Sequence, residues 1–212
     1  MLVVQPVEKP WGPNYLRLGL KLSSDFEGEG DFTLLGSFTM TWLNRLGAEW
    51  RNDLALGRDP FIRSEFYQPF TTSGRWFVAP NVFAGRQLVD FFDGDQRVAQ
   101  LLETRTIAGF DLGLNLFTYA QLRAGAFVGH LRAEPNIAFP GLSTVSVGLG
   151  GFQFSGIYDR VDSAAFPREG TYIRAAAMLS RPAMGAELAY QKAELGWMTA
   201  WNACRAPSSY NG

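Results

Sequence analysis

The amino-acid sequence predicts an all-β protein, an antiparallel transmembrane β-barrel of which about ten strands are present. Three observations predict it. Apolar and polar residues alternate with period two in one segment after another. No window approaches the roughly 18 uninterrupted apolar residues of a membrane helix. The apolar face is wide, with Trp and Phe near segment ends, while the opposite face mixes Arg, Glu, Asp, Gln, Thr and Gly. A soluble sandwich instead points its apolar face inward and carries dense charge outside.

The strands follow in order. Tyr15–Ser23 puts Leu16, Leu18, Leu20 and Leu22 on one face and Arg17, Gly19 and Lys21 on the other. After the polar turn Ser24–Asp31, Phe32–Trp42 sets Phe32, Leu34, Phe38, Met40 and Trp42 against Thr33, Ser37, Thr39 and Thr41. A third strand spans about Gly47–Gly57, with Trp50, Leu54 and Leu56 opposing Glu49, Arg51 and Asp53. A fourth, about Phe61–Gln68, ends at Pro69, which cannot donate to a central ladder. Thr72-Ser73-Gly74 turns into a fifth, about Arg75–Gln87, and Asp93-Gly94 signals a hairpin. The sixth, about Gln96–Asn115, exceeds the usual 3–10 residues of strands in globular proteins, as a strand running beyond a bilayer would. Ala120–Arg132, Thr144–Tyr158, Thr171–Ser180 and Ala186–Trp201 complete the series.

Trp42, Trp50, Trp76, Tyr119 and Trp197 suit the aromatic girdles of a membrane barrel. Arg17, Lys21, Arg51, Glu103, Arg105, Asp111 and Arg123 fall on the polar face and are expected to line the lumen. A lipocalin-like soluble barrel that binds a ligand in an aromatic core shares the same period and remains the alternative.

Composition narrows the classes further. A net charge of −1 leaves no basic footprint for nucleic acid. The mean hydropathy of −0.05 does not argue against a membrane barrel, because only alternate residues of its strands face lipid. Cys204 is the only cysteine and His130 the only histidine, so neither an internal disulfide nor a protein-built zinc site is expected, and no cofactor is implied. His130, just before Glu134-Pro135-Asn136, reads as a loop or rim residue. An outer-membrane phospholipase would need a histidine beside a serine nucleophile, and no spacing in the sequence proposes that pair. The segment Met1–Pro6 lacks the basic start and apolar run of a signal peptide, so an export signal is expected elsewhere.

Two segments carry a family resemblance. Tyr158–Thr171 (YDRVDSAAFPREGT) resembles the D-x-x-D-x-x-x-F-P-x-x-G-T hairpin of the BamA/TamA-type bacterial surface antigen family, through Asp159, Asp162, Phe166, Pro167 and Gly170. Physically it is a turn: Asp159 and Asp162 are placed to accept from turn amides, Pro167 presets φ, and Gly170 admits positive φ. Val7–Leu20 (VEKPWGPNYLRLGL), continued by Leu43–Asp53, resembles the junction at which a periplasmic POTRA module meets the first barrel strand in PlpD-type patatin-like autotransporters. The resemblance implies residues 1–10 as the end of a POTRA module, 11–201 as the N-terminal part of an outer-membrane barrel, and 202–212 as an irregular, aberrant tail. It implies a barrel in the bacterial outer membrane that anchors or translocates an attached patatin-like phospholipase. The implied partners are the lipid bilayer, the outer-membrane assembly machinery, and POTRA and patatin domains missing from this chain. A general outer-membrane assembly factor would share the fold.

The departures are equally specific. The G-x-S-x-G and D-G-[GA] motifs of the patatin domain are absent, so no catalytic residue is assigned and the chain is not expected to be an enzyme. The family's V-R-G-[FY] lumen motif is absent too. Family barrels have roughly sixteen strands, within the even-numbered range of outer-membrane barrels. The expectation is therefore a barrel fragment with two open edges, prone to aggregate when expressed alone.

Overall fold

A computed structural model describes residues 14–24, 30–93, 96–137, 143–163 and 166–201. The segment assigned to a POTRA module, the Trp11–Pro13 junction, Gly94 and the tail with Cys204 lie outside the described residues.

The described residues are all-β, with ten antiparallel strands in one sheet ordered as in the sequence. They are β1 (Tyr15–Ser24), β2 (Gly30–Met40), β3 (Glu49–Gly57), β4 (Phe61–Pro69), β5 (Trp76–Asp93), β6 (Gln96–Leu116), β7 (Ala120–Ile137), β8 (Val145–Asp159), β9 (Gly170–Ser180) and β10 (Gln191–Ala200). The sheet is open, with β1 and β10 at its edges.

Several boundaries differ from the sequence expectation, each for a local reason. The second strand stops at Met40 because the chain turns through Trp42 at φ 57° and Gly47 at φ 79°. Asn44 Oδ1 holds that turn by accepting from the amides of Leu46 and Ala48. Strands β5 and β7 run on to Asp93 and Ile137, because β6 continues as their partner past the apolar alternation. The tenth strand starts at Gln191 rather than Ala186. Residues 181–187 form a 3-10 turn at Pro182–Met184 and bond to β8 instead, Arg181 N–H to Gly150 O at 2.9 Å and Glu187 N–H to Gly148 O at 3.1 Å. Strand β8 extends above the short β9, and this loop supplies the partners that β9 cannot.

The register separates two faces. Leu16, Leu18, Leu20, Leu34, Leu54, Leu56, Ile62, Val82, Phe110, Leu112, Leu122, Val128, Phe152, Phe154, Ile173, Leu195 and Trp197 share one of them, and all are exposed. Leu20 keeps 64% of its surface accessible and Leu112 44%. The opposite face holds the most enclosed side chains, Phe77, Phe127 and Ala79.

That opposite face is concave. Arg123 on β7 donates to both carboxylate oxygens of Glu65 on β4, at 2.7 and 3.2 Å. In a flat sheet the register would hold their Cα atoms about 14 Å apart across the strands and about 13 Å along them. Only a sheet curved about this face brings the two side chains together. Two glycines make room for the cluster. A Cβ on Gly113 would fall 2.0 Å from Phe77 Cζ, and one on Gly125 would fall 2.0 Å from Asp111 Oδ1.

The convex face is apolar only over part of its height. On β5 the apolar stretch runs from Trp76 to Ala84, on β6 from Leu116 to Ala108, and on β7 from Ala120 to Val128. Each covers about nine residues, which matches the 9–11 with which a tilted strand crosses a bilayer. Above it the same face turns polar across four adjacent strands, where Arg86, Thr104, Arg132 and Ser146 form one register row. On β1 and β2 the apolar stretch reaches higher, to Leu22 and Phe32, and on β9 it ends lower, at Leu179. The belt thus steps down by about one residue per strand, as tilted strands require.

Candidate functional site: the polar concave face

All seven residues expected to line a lumen lie on the concave face: Arg17 and Lys21 on β1, Arg51 on β3, Glu103, Arg105 and Asp111 on β6, and Arg123 on β7. The fold does not gather them into one cluster. Arg51 pairs with Asp53 two residues on, at 3.0 Å, and Arg105 pairs likewise with Glu103. Arg17, on the edge strand, lines the same hollow as Arg51 and Asp53, and Lys21 lies four residues further along β1.

Asp111 and Arg123 form the centre of a genuine network. Besides Glu65, Arg123 donates from Nε to Gln121 Oε1 at 2.7 Å, and its guanidinium lies 5.2 Å from the ring centre of Phe77. Asp111, only 5% exposed, accepts from Gln153 Nε2 at 2.7 Å and from Asn81 Nδ2 at 3.2 Å. Asn115 extends the network by donating to Tyr67 Oη at 2.9 Å, and Gln121 donates to Asn115 Oδ1 at 2.8 Å. A buried carboxylate is tolerable only when its lone pairs are filled, and here strands on both sides fill them. Sequence reasoning missed Glu65, Asn81 and Gln153. Their strand parity puts them on the polar face, but partnership across one to three strands leaves no mark in a local pattern.

The aromatics expected to form girdles collect at one end of the sheet. Trp42, Trp50, Trp76, Tyr119 and Trp197 all lie toward the turns that join β2–β3, β4–β5, β6–β7 and β8–β9, or toward the matching end of β10. Trp50 Nε1–H donates to Ser64 Oγ at 2.8 Å, and that hydroxyl donates to Asn52 Oδ1 at 2.8 Å. These polar atoms on the apolar face thereby satisfy one another.

The hairpin between β8 and β9 is built as its residues predict. Asp162 Oδ1 accepts from the amides of Arg168 and Glu169 at 2.9 and 3.2 Å, and Asp159 Oδ1 from that of Val161 at 3.2 Å. Gly170 has φ 122°, where a Cβ would collide with Arg160 O at 2.0 Å. Arg160 lies over Tyr119, at 5.2 Å, and ties this turn to the β6–β7 turn. Phe166 is 82% exposed and Pro167 leads the return limb. The two amide bonds hold the Asp162 carboxyl below its ordinary pKa.

His130 is a strand residue rather than a loop residue. It sits on the convex face of β7 at the upper limit of the apolar belt, with Nε2 2.6 Å from Ser146 Oγ. That is nucleophile–base distance, but the pair lies on a regular sheet surface and the amide of Gly148, opposite His130, is held by Glu187 Oε1. The described residues contain no group of three or more His, Cys, Asp or Glu side chains that could hold a metal ion. No protein-family model and no curated protein matches the sequence of this chain.

Proposed function

We propose that this chain is the membrane-embedded part of a bacterial outer-membrane β-barrel that anchors or translocates an attached patatin-like phospholipase. The observation that carries the membrane reading is the belt. Exposed apolar side chains cover a band of bilayer height on the convex face, aromatics flank its turn end, and a polar row bounds it above. In water that surface would be a far larger apolar patch than soluble monomers expose. In a bilayer it is the solvent-facing side, and the concave face with its ion pairs becomes the lumen wall. The passenger part of the reading is supported by the likeness of the Val7–Leu20 and Tyr158–Thr171 segments to the surface antigen and PlpD-type families.

Two measurements test it. The full chain is expected to stay folded only with detergent or lipid; a folded, monomeric protein in plain buffer would sink the membrane reading in favour of a soluble ligand-binding barrel. Planar-bilayer recordings then separate translocation from anchoring. Discrete conductance steps support an open lumen, and their absence from inserted protein leaves an anchor. The sequence flanking the reading frame in the genome decides the passenger. An encoded patatin domain supports the proposal, and POTRA modules alone favour a general assembly factor.

A further inference from the structure

We propose that a hollow on the concave face of β1–β5 binds a soluble organic phosphate monoester, held by Arg17, Arg51 and Arg63 and lying against Phe61 and Phe83. The proposal goes beyond the membrane reading and does not depend on it, because these residues share the concave face whatever covers the convex one.

Register brings the groups together. Arg17, Ser37, Asp53, Arg63 and Phe83 form one row across five adjacent strands, and Arg51 stands beside it, two residues along β3 from Asp53. In a flat sheet Arg17 and Arg63 would be about 14 Å apart along this row, and curvature about the concave face draws their side chains closer. Both line one hollow of about 420 Å³, within the size range of small-molecule sites.

The charges in the hollow do not balance. Among the described residues that line it, Asp53 is the only carboxylate. It is already held by Arg51 Nε at 3.0 Å and by the Ser37 hydroxyl at 2.6 Å. Glu65 opposes Arg51 across β3 and β4, but Arg123 takes both of its oxygens. Arg63 opposes Asp53 and instead lies over the ring of Phe83, 5.6 Å from its centre. Among the described residues no carboxylate pairs with Arg17 or Arg63. Three guanidinium groups and one carboxylate leave a net charge of +2. A phosphate monoester, at about −1.5 to −2 near neutral pH, complements it. Forked donors arriving from three strands also suit a tetrahedral oxyanion, whereas a planar carboxylate is filled by one or two forks. The carbon part of the ester has a wall of its own, since Phe61 and Phe83 stack with ring centres 5.9 Å apart. The apolar belt lies on the opposite face, so the phosphate comes from solution rather than from a lipid headgroup.

Titration calorimetry on the full chain in octyl glucoside micelles tests the site, with phenyl phosphate and inorganic phosphate as probes. Phenyl phosphate is expected to bind, and more tightly than inorganic phosphate. Arg17→Gln and Arg63→Gln should each weaken it about tenfold, the weight of one charge-assisted hydrogen bond. Both side chains are exposed, so the sheet should stay folded without them, as heat-modifiable mobility checks. Phe83→Leu should weaken phenyl phosphate more than inorganic phosphate. Arg132→Gln removes a cation from the convex face and should change neither. Failure of phenyl phosphate to bind would overturn the proposal. So would an equal loss in the Arg132 variant, which would mean diffuse attraction to positive charge, or equal affinity for the two probes. Competition by dioleoyl-phosphatidic acid mixed into the micelles would overturn the soluble source in favour of a headgroup. A chain that stays folded without micelles defeats the membrane reading alone, and the same titration in plain buffer then decides the site.

Discussion

At the scale of single residues, hydrogen bonding to charge decides where the chain turns and which glycines it needs. Asp162 holds two amides of its hairpin, and its carboxyl titrates below the ordinary value for that reason. A depressed folded pKa means the contribution is present above the unfolded value of about 3.9 and is lost as pH falls through the lower folded one. Amide exchange at Arg168 and Glu169 should therefore accelerate on acidification through that window. Asp162→Ala should show the fast rates already at neutral pH, and unchanged exchange in the variant would refute the role given to the carboxylate. In the concave network, Arg123→Ala or Glu65→Ala should each cost about 1–3 kcal/mol, because the partner stays part-buried and loses its bidentate contact. The double variant should lose clearly less than the sum in a urea-unfolding cycle. Additive losses would mean that the bidentate contact contributes nothing of its own.

At the scale of the strands, the same side chain can be a defect or an asset depending on the solvent. Leu112 sits midway up the belt on β6 and is 44% exposed on the convex face. In a bilayer, Leu112→Arg should destabilise by about 2–4 kcal/mol, as a cation does near the midplane of a membrane barrel. In water the same substitution would be close to neutral, as surface changes usually are. Unfolding of the variant in lipid vesicles distinguishes the two outcomes. Parity made Leu112 legible as a member of the apolar face, along with most of the strands. The ends of β5, β7 and β10 were less legible. They are set by what the neighbouring strand or the 181–187 loop offers for pairing, not by the local alternation.

At the scale of the whole molecule, the belt sets a height and the register sets a tilt. On the proposed membrane reading, about nine residues of apolar face at the usual strand tilt correspond to a hydrocarbon layer of about 25 Å. Refolding yield should therefore be highest in vesicles of matching thickness and fall in long-chain lipids, as measured by the fraction of heat-modifiable protein. A yield indifferent to chain length would argue against a belt defined by the bilayer.

The sequence by itself determined the class of structure, the number of strands, the two faces and the Asp162 hairpin. Period two and turn chemistry are local properties, and each needs only a few neighbouring residues to be expressed. Only the tertiary structure decided that Arg123 meets Glu65 and that Asp111 is enclosed by Asn81 and Gln153. It alone showed that His130 lies beside Ser146 at the limit of the belt. Those pairings depend on register and curvature accumulated over several strands, and a strand's own residues do not encode how far its neighbours have shifted.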